Sequence, residues 1–169
     1  MSCCLLVLRH AKSDWSAAYG SDRERPLAPR GVDAARLMGR FVTAAGLEPD
    51  LVLSSPAERA RTTAGLAASA GSWGVPVEIR EGFYAGGREA VLLALREVGP
   101  QIGTVVVVGH EPVWSAVVSG LSGGGRVRFP TAGLACLTSE TEWSALAWGR
   151  MELGWLVTPK LLKRSGFDD

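Results

Sequence analysis

The sequence has few of the residues that mark several whole classes of protein. Only three of its 169 residues are cysteine, and no CxxC or HExxH spacing occurs, so we expect neither a disulfide framework nor a metal site. Lysine and arginine number 18 against 17 aspartates and glutamates. This balance excludes the strong whole-protein field that draws in nucleic acid or an anionic membrane.

Long apolar runs are also missing. The apolar start, residues 3–8, is too short to cross a membrane and has no basic segment before it, so we expect no signal or anchor and a cytoplasmic location. Cys3, Cys4 and Cys136 lie in strand-like apolar surroundings and are predicted to be buried reduced thiols. The length fits one domain, predicted to span residues 1–169.

Strand-like apolar runs alternate with helical patterns along the chain, which predicts an α/β fold. We expect a three-layer sandwich in which helices flank a mostly parallel central sheet, with antiparallel edge strands from the C-terminal third. The predicted strands are residues 3–8, 50–55, 75–81 and 104–110, and the shorter runs 134–138, 144–150 and 154–159. The predicted helices are residues 30–45, 56–70 and 87–98 and one that starts at Pro112, with Ser55 as N-cap of the second. The tail, residues 160–169, is expected to be a short helix or a frayed end.

The chain has only two histidines, and each closes an apolar run. His10 follows Arg9 at the end of the first predicted strand, and His110 ends "TVVVVGH". Because the carboxyl ends of parallel strands meet at one edge of a sheet, we expect the two histidines to be neighbours. Arg59 falls in the first turn of the second helix, at the same edge.

A pocket of two arginines and two histidines suits a phosphoryl group. Arginine forks match phosphate oxygens, and a neutral imidazole can attack phosphorus to form a phosphohistidine without a metal ion or other cofactor. Taken alone, His10 is more often a hydrogen-bonded structural residue and Arg59 a solvated one. The joint pattern of Arg9, His10, Arg59 and His110 favours the phosphoryl site.

These residues carry a resemblance to a known family. "LRHAKS" resembles the Arg-His-Gly signature of the histidine phosphatase superfamily, which has the phosphoglycerate mutase-like fold, and "SSPAERARTTA" and "VGHEP" resemble its second-arginine and second-histidine motifs. "RHAKSDW", "DRERPLAPRG" and "ELGWLVTPKLL" are similar to its SixA-type phosphohistidine phosphatase branch. The resemblance implies that His10 is the phosphorylated nucleophile, that Arg9 and Arg59 bind the phosphoryl oxygens and that His110 completes the pocket. Ala11 departs from the glycine of the signature.

The resemblance also suggests a general acid. Many superfamily members use an acidic residue beyond the third strand, and Glu81 in "REGFY" is the nearest match, although a solvated carboxylate is an equal alternative.

Arg25 and Ser13, in the loop after His10, are candidates for secondary substrate contacts. For Arg25 a charge pair with Asp22 or Glu24 is the alternative. Three aromatic residues near the predicted site could line the rim of a pocket, but core packing is the expected role for each of them: Trp15, Tyr84 and Trp114.

The predicted function is a metal-independent phosphatase that forms a covalent phosphohistidine intermediate and acts on phosphohistidine in a signalling or phosphotransfer protein. Short connections between the strands leave little chain for a lid, and an open pocket favours a protein substrate. A small-molecule phosphomonoesterase of the same superfamily and a non-catalytic phosphate-binding regulator are the alternatives. The sequence leaves the oligomeric state open.

Overall fold

The computed structural model describes residues 3–167, which form one six-stranded sheet with helices on both faces. The strands are β1 (Cys3–Arg9), β2 (Leu51–Ser54), β3 (Val77–Ile79), β4 (Thr104–Gly109), β5 (Leu134–Ser139) and β6 (Glu152–Val157). The helices are α1 (Pro29–Ala44), α2 (Glu58–Ala70), α3 (Gly82–Ala85), α4 (Gly87–Arg96), α5 (Val113–Leu121) and α6 (Pro159–Arg164), with 3-10 turns at Asp22–Glu24 and Trp143–Ala145.

The strand order is β3-β2-β4-β1-β5-β6, and β3, β2, β4 and β1 run parallel. β5 pairs antiparallel with both β1 and β6. The predicted α/β sandwich, with its mostly parallel sheet and antiparallel pairing in the C-terminal third, is therefore confirmed.

The central strand β4 explains why its sequence is apolar throughout. Val105 and Val107 point into a core that includes residues of α4 and α5, whereas Val106 and Val108 point into a second core with residues of α1 and α2. All four valines are fully buried. A parallel strand covered on both faces has no solvent side, so the alternation of polar and apolar residues disappears.

Small residues let α1 and α2 approach each other closely. Gly39 of α1 lies against the backbone of Ala67 of α2, and a Cβ at position 39 would overlap the Ala67 carbonyl. Ala60 and Ala64 continue the same buried face of α2. This packing fixes the helix that carries Arg59 against the sheet.

Three local predictions are wrong. Residues 144–150 do not form a strand: a 3-10 turn occupies Trp143–Ala145, where the Trp143 indole donates a hydrogen bond to the Ile102 carbonyl. α2 begins at Glu58 rather than at residue 56, and its N-cap is Ala57 rather than Ser55, whose hydroxyl oxygen lies 2.7 Å from His110 Nε2. Cys4 is half-buried rather than buried.

The tail helix was predicted, and α6 confirms it, with Thr158 as N-cap. Residues 168–169 lie outside the described residues. Within residues 3–167, none of the helices combines the length and the apolar character that crossing a membrane requires.

Candidate active site

Neighbouring strand ends bring the two histidines together. Arg9 and Gly109 are register partners at the ends of β1 and β4, and the His10 amide donates to the Gly109 carbonyl at 2.9 Å. The imidazole centroids of His10 and His110 are 5.1 Å apart. The predicted neighbourhood is confirmed, and it follows from parallel pairing of two buried strands.

Hydrogen bonding fixes the tautomer of His10. Its Nδ1 lies 2.7 Å from the Ala11 carbonyl oxygen, and because a carbonyl can only accept, Nδ1 carries the hydrogen and Nε2 keeps a lone pair. Burial lowers the pKa of His10 to about 3, opposed by the Ala11 carbonyl and helped by the charges of His110, Arg59 and Arg9. The ring is therefore neutral at physiological pH.

His110 is held by a serine from β2's carboxyl end. Its Nε2 lies 2.7 Å from the Ser55 hydroxyl oxygen, and that oxygen also accepts a hydrogen bond from the Ala57 amide. A hydroxyl oxygen has two lone pairs, so the Ala57 bond alone does not fix the direction, but among the described residues the Ser55 hydroxyl has no acceptor other than Nε2. We therefore assign its hydrogen to Nε2, which places the hydrogen of His110 on Nδ1. That Nδ1 is buried without a hydrogen-bond partner. Burial, followed by the charge of Arg59, lowers the pKa of His110 to about 4.

Two buried arginines and the half-buried Arg9 supply positive charge around the histidines. Arg59, in the first turn of α2, and Arg25 are 6% and 5% exposed, and Arg9 donates to the Phe129 carbonyl at 2.8 Å. The Nε atoms of Arg9 and Arg59 are buried without partners. The site therefore presents unsatisfied donors, which an oxyanion can accept from. Within the described residues, no group of three histidine, cysteine or acidic side chains is placed to hold a metal ion.

Asp22 belongs to the site, and the sequence alone did not predict it. Its carboxylate accepts from Arg59 at 3.0 Å, from Arg25 at 3.0 Å and from the Tyr84 hydroxyl at 3.1 Å. Burial alone would raise the pKa of Asp22, but the bonds from Arg25, Tyr84 and Arg59 and the charge of Arg59 lower it. The one signal in the sequence is an acid within the arginine-rich stretch "DRER".

Ala11 is accommodated where the wider signature has glycine. The residue is fully buried and packs in the core shared by α1 and α2. Its amide donates to the Thr63 hydroxyl at 3.0 Å, and that hydroxyl donates to the Arg59 carbonyl at 2.7 Å. The backbone after His10 is thus tied to the helix of Arg59.

The remaining predicted residues have different surroundings. The Glu81 side chain is 70% exposed and pairs with Arg23 at 2.9 Å, so the structure supports the solvated alternative for it, and its role as an acid stays a prediction. Arg25 donates to the buried Ser13 hydroxyl and forms an ion pair with Asp22, which is the alternative that the sequence offered for Arg25. Both residues lie next to the site, and their contact with substrate stays a prediction.

Two of the three aromatic predictions are wrong. Trp114 is fully buried in the core as expected. Trp15 is 66% exposed, with the Arg25 guanidinium 3.6 Å from its ring centroid. Tyr84 is 38% exposed and its ring meets that of His110 edge-on at 5.8 Å. Both side chains are held at the site by polar partners, which a core prediction from residue type ignores.

Comparison with known proteins adds sequence and fold relatives. The model of the histidine phosphatase superfamily (branch 1) matches residues 5–84. An uncharacterized protein of Mycobacterium tuberculosis strain H37Rv is 36% identical over 150 residues, which cover 81% of this chain and 90% of that protein.

Two solved structures share nearly the whole fold. A protein histidine phosphatase SixA complexed with tungstate has a TM-score of 0.82 and 26% identity, covering 94% of this chain and 99% of the other. A protein of Nakamurella multipartitia, assigned as the phosphohistidine phosphatase SixA, has a TM-score of 0.81 and 28% identity, covering 94% and 97%. With the family model matching the segment that carries both the first histidine and the second arginine, the chain belongs to the histidine phosphatase superfamily.

Proposed function

We propose that this protein is a phosphatase that removes the phosphoryl group from phosphohistidine in a signalling or phosphotransfer protein, through a covalent intermediate on His10. The observation that carries the proposal is the pair of neutral, buried imidazoles at 5.1 Å with arginines around them. A nucleophile and preorganised donors for an oxyanion are the two requirements of phosphoryl transfer.

The nucleophile in this proposal is Nε2 of His10. Its lone pair is available because the hydrogen of the ring is on Nδ1, bonded to Ala11. With its pKa lowered to about 3, the ring needs no base to remove a proton before it attacks. The strand end holds the ring in place, so the ring needs little reorganisation before Nε2 attacks phosphorus.

The donors around His10 would hold the phosphoryl oxygens. The partnerless nitrogens Arg9 Nε, Arg59 Nε and His110 Nδ1 can each donate to an oxygen. These nitrogens are buried and held in place, and preorganised donors of this kind stabilise the charge that develops in the transition state more than solvent would.

The reaction has two displacements. In the first, the bond from His10 Nε2 to phosphorus forms, the bond from phosphorus to the substrate imidazole breaks, and the departing nitrogen takes a proton from solvent water. In the second, water attacks phosphorus and gives up a proton to the solvent, the bond to Nε2 breaks and inorganic phosphate leaves. His10 returns to its starting form.

The leaving group favours phosphohistidine over a phosphate ester. An alkoxide depends strongly on a general acid, whereas an imidazole leaves more readily. Asp22, the carboxylate beside the arginines, has a lowered pKa and is ionised at neutral pH, and Glu81 is exposed and paired with Arg23. Asp22 is therefore not a ready proton donor, which supports a substrate that needs little protonation.

The SixA similarity supports the same class of substrate. The SixA structure with a TM-score of 0.82 is a protein histidine phosphatase complexed with tungstate, and tungstate is a tetrahedral oxyanion like phosphate. The open surface around the site, with Trp15 exposed at its rim, suits a side chain presented by a protein.

The test is turnover of a phosphotransfer domain phosphorylated on histidine, with a sugar phosphate as the comparison substrate. We expect phosphate release from the phosphoprotein and little from the sugar phosphate, and no release by His10→Ala. Faster turnover of the sugar phosphate would support the small-molecule phosphomonoesterase instead. Binding of phosphate without turnover of either substrate would support a non-catalytic regulator.

A further inference from the structure

A surface cleft lies directly beside the strand end that carries His10. It has a volume of about 730 Å³ and is bordered by the loop after β1, the first turns of α1, the segment before β5 and the start of α6. Lys12 in its lining is two residues beyond His10, and the amide of Ala132, also in the lining, donates to the His10 carbonyl at 3.1 Å. The cleft therefore adjoins the backbone that carries the candidate nucleophile.

The lining of this cleft has only one sign of charge. Its ten residues include four cations and no aspartate or glutamate, although the whole chain has 18 basic and 17 acidic residues. We name this feature the basic cleft, and its cations are Lys12, Arg30, Arg128 and Lys160. Four cations from separate segments around one cleft create a local positive potential in a nearly neutral protein.

The cations of the basic cleft have no anionic partners among the residues that the structure describes. Within residues 3–167, none of the four forms an ion pair or a side-chain hydrogen bond, whereas Arg23, Arg61 and Arg80 each pair with a glutamate. The positive potential is thus left for a partner that brings negative charge from outside.

Exposure separates the basic cleft from the phosphoryl site. Arg25 and Arg59 are almost completely buried and held by fixed bonds, as recognition of one small anion requires. Arg30, Arg128 and Lys160 are exposed. Exposed cations spread around an open cleft suit several carboxylates along a protein segment better than a single phosphate.

We infer that the basic cleft docks an acidic stretch of the phosphoprotein substrate, next to the phosphorylated histidine. The inference rests on the proposed function and adds the chemistry of the partner: aspartates and glutamates flanking the phosphohistidine. Such contacts steer association, so they raise kcat/KM and make it depend on salt.

The experiment compares two phosphohistidine peptides of equal length, one with four flanking glutamates and one with four glutamines. Phosphoimidazole serves as a substrate that cannot reach the basic cleft. The variant is Arg128→Glu with Lys160→Glu, which leaves the His10 loop unchanged. The matched control is Arg36→Glu with Arg164→Glu, two exposed cations outside the cleft with the same change in charge.

We expect the wild type to turn over the glutamate peptide about tenfold better than the glutamine peptide at low salt, a preference that 0.5 M salt removes. The cleft variant should lose this preference, the control should keep it, and all three proteins should hydrolyse phosphoimidazole equally. Equal rates of the wild type on both peptides would overturn the inference. It would also be overturned if the cleft variant lost as much activity on phosphoimidazole as on the glutamate peptide.

Binding of the fluorescently labelled, unphosphorylated peptides separates this inference from the proposed function. If the wild type binds the glutamate peptide more tightly than the cleft variant does, yet hydrolyses no phosphohistidine substrate, the docking surface stands and the proposed function fails. If turnover occurs without that difference in binding, the function stands and the docking surface fails. Tighter binding of a thymidine oligonucleotide than of the glutamate peptide would also overturn the acidic protein as partner.

Discussion

His10 and His110 face each other with 5.1 Å between ring centroids, and their two available nitrogens are of opposite kinds. Nε2 of His10 has a lone pair because Nδ1 is bonded to the Ala11 carbonyl. Nδ1 of His110 carries a hydrogen because Ser55 donates to Nε2. The His10 ring can therefore attack and the His110 ring can donate. The tautomer of each ring is determined by its hydrogen-bond partner, the Ala11 carbonyl or the Ser55 hydroxyl.

Replacement of the two histidines by asparagine should separate these roles. His10→Asn should lose at least about 1000-fold in kcat and form no covalent phosphoenzyme, because no other nitrogen occupies its place. His110→Asn should still form the phosphoenzyme, but more slowly. The measurement is trapping of an acid-labile, alkali-stable radioactive label after mixing with phosphorylated substrate. A label of normal yield on His10→Asn would show that another residue is the nucleophile.

The lowered pKa of His10 predicts a dependence of stability on pH. The unfolded ring, with a pKa near 6.5, takes up a proton as the pH falls, while the folded ring with a pKa of about 3 does not. The stability that this shift of the His10 pKa contributes is therefore fully present above pH 6.5 and is lost as the pH falls towards 3. Between pH 8 and pH 5, protonation of this one group in the unfolded chain should lower the free energy of unfolding by about 2 kcal/mol.

Urea unfolding of wild type and His10→Gln at pH 8 and pH 5 measures this effect. The loss of stability between the two pH values should be smaller in the variant by about 2 kcal/mol, since glutamine does not titrate. Parallel losses in the two proteins would mean that the pKa of the folded ring is close to its ordinary value.

The sheet and the strand ends could be predicted from the sequence because a strand that is buried on both faces is apolar along its whole length. The run at 104–109 has one interpretation, and once it pairs in parallel with β1, His10 and His110 must meet. Residues 144–150 have apolar residues at similar spacing, yet a 3-10 turn occupies Trp143–Ala145 and the place beside β5 is taken by β6. The local pattern of apolar residues does not reveal which of the two segments pairs with β5.

Asp22 could not be predicted because its place depends on how a long polar loop folds. That loop is fixed by contacts between residues far apart in the chain, such as the Arg25 guanidinium on the Trp15 ring and the bond from Tyr84 to Asp22. Neither contact follows from helix or strand periodicity. The sequence predicts the rigid half of the site, on the strands, better than the half that the loop supplies.

Asp22 should weaken the binding of oxyanions to the site. Its carboxylate occupies the Arg59 guanidinium and repels an incoming anion. We expect Asp22→Asn to bind tungstate about tenfold more tightly than the wild type, as measured by calorimetry. Asp14→Asn is the control, because the Asp14 carboxylate lies in the same loop but accepts hydrogen bonds from Ser16 and Ala17 rather than from an arginine. This variant should bind tungstate as the wild type does. An unchanged affinity in Asp22→Asn would contradict the competition.

The close approach of α1 and α2 predicts opposite effects for two glycines. Gly39→Ala would drive a methyl group into the Ala67 backbone and should lower the free energy of unfolding by about 1–3 kcal/mol. Gly65→Ala, on α2 with open space around its Cβ, should raise it by about 0.5–1 kcal/mol. Chemical denaturation of both variants decides this, and equal effects would mean that the helices can move apart freely.

Ser55 should act as a positioning residue through His110. Its hydroxyl, 2.7 Å from His110 Nε2, keeps the hydrogen of that ring on Nδ1, so Ser55→Ala should populate the other tautomer and lower kcat about tenfold while KM changes little. The decisive readout is the ¹⁵N chemical shift of the two ring nitrogens of His110, which distinguishes the tautomers directly. Ser55→Thr keeps a hydroxyl and should restore both the wild-type shifts and most of kcat. If Ser55→Ala lowers kcat but leaves the ring shifts of His110 unchanged, its effect is on packing alone, and the tautomer of His110 is set by something other than Ser55.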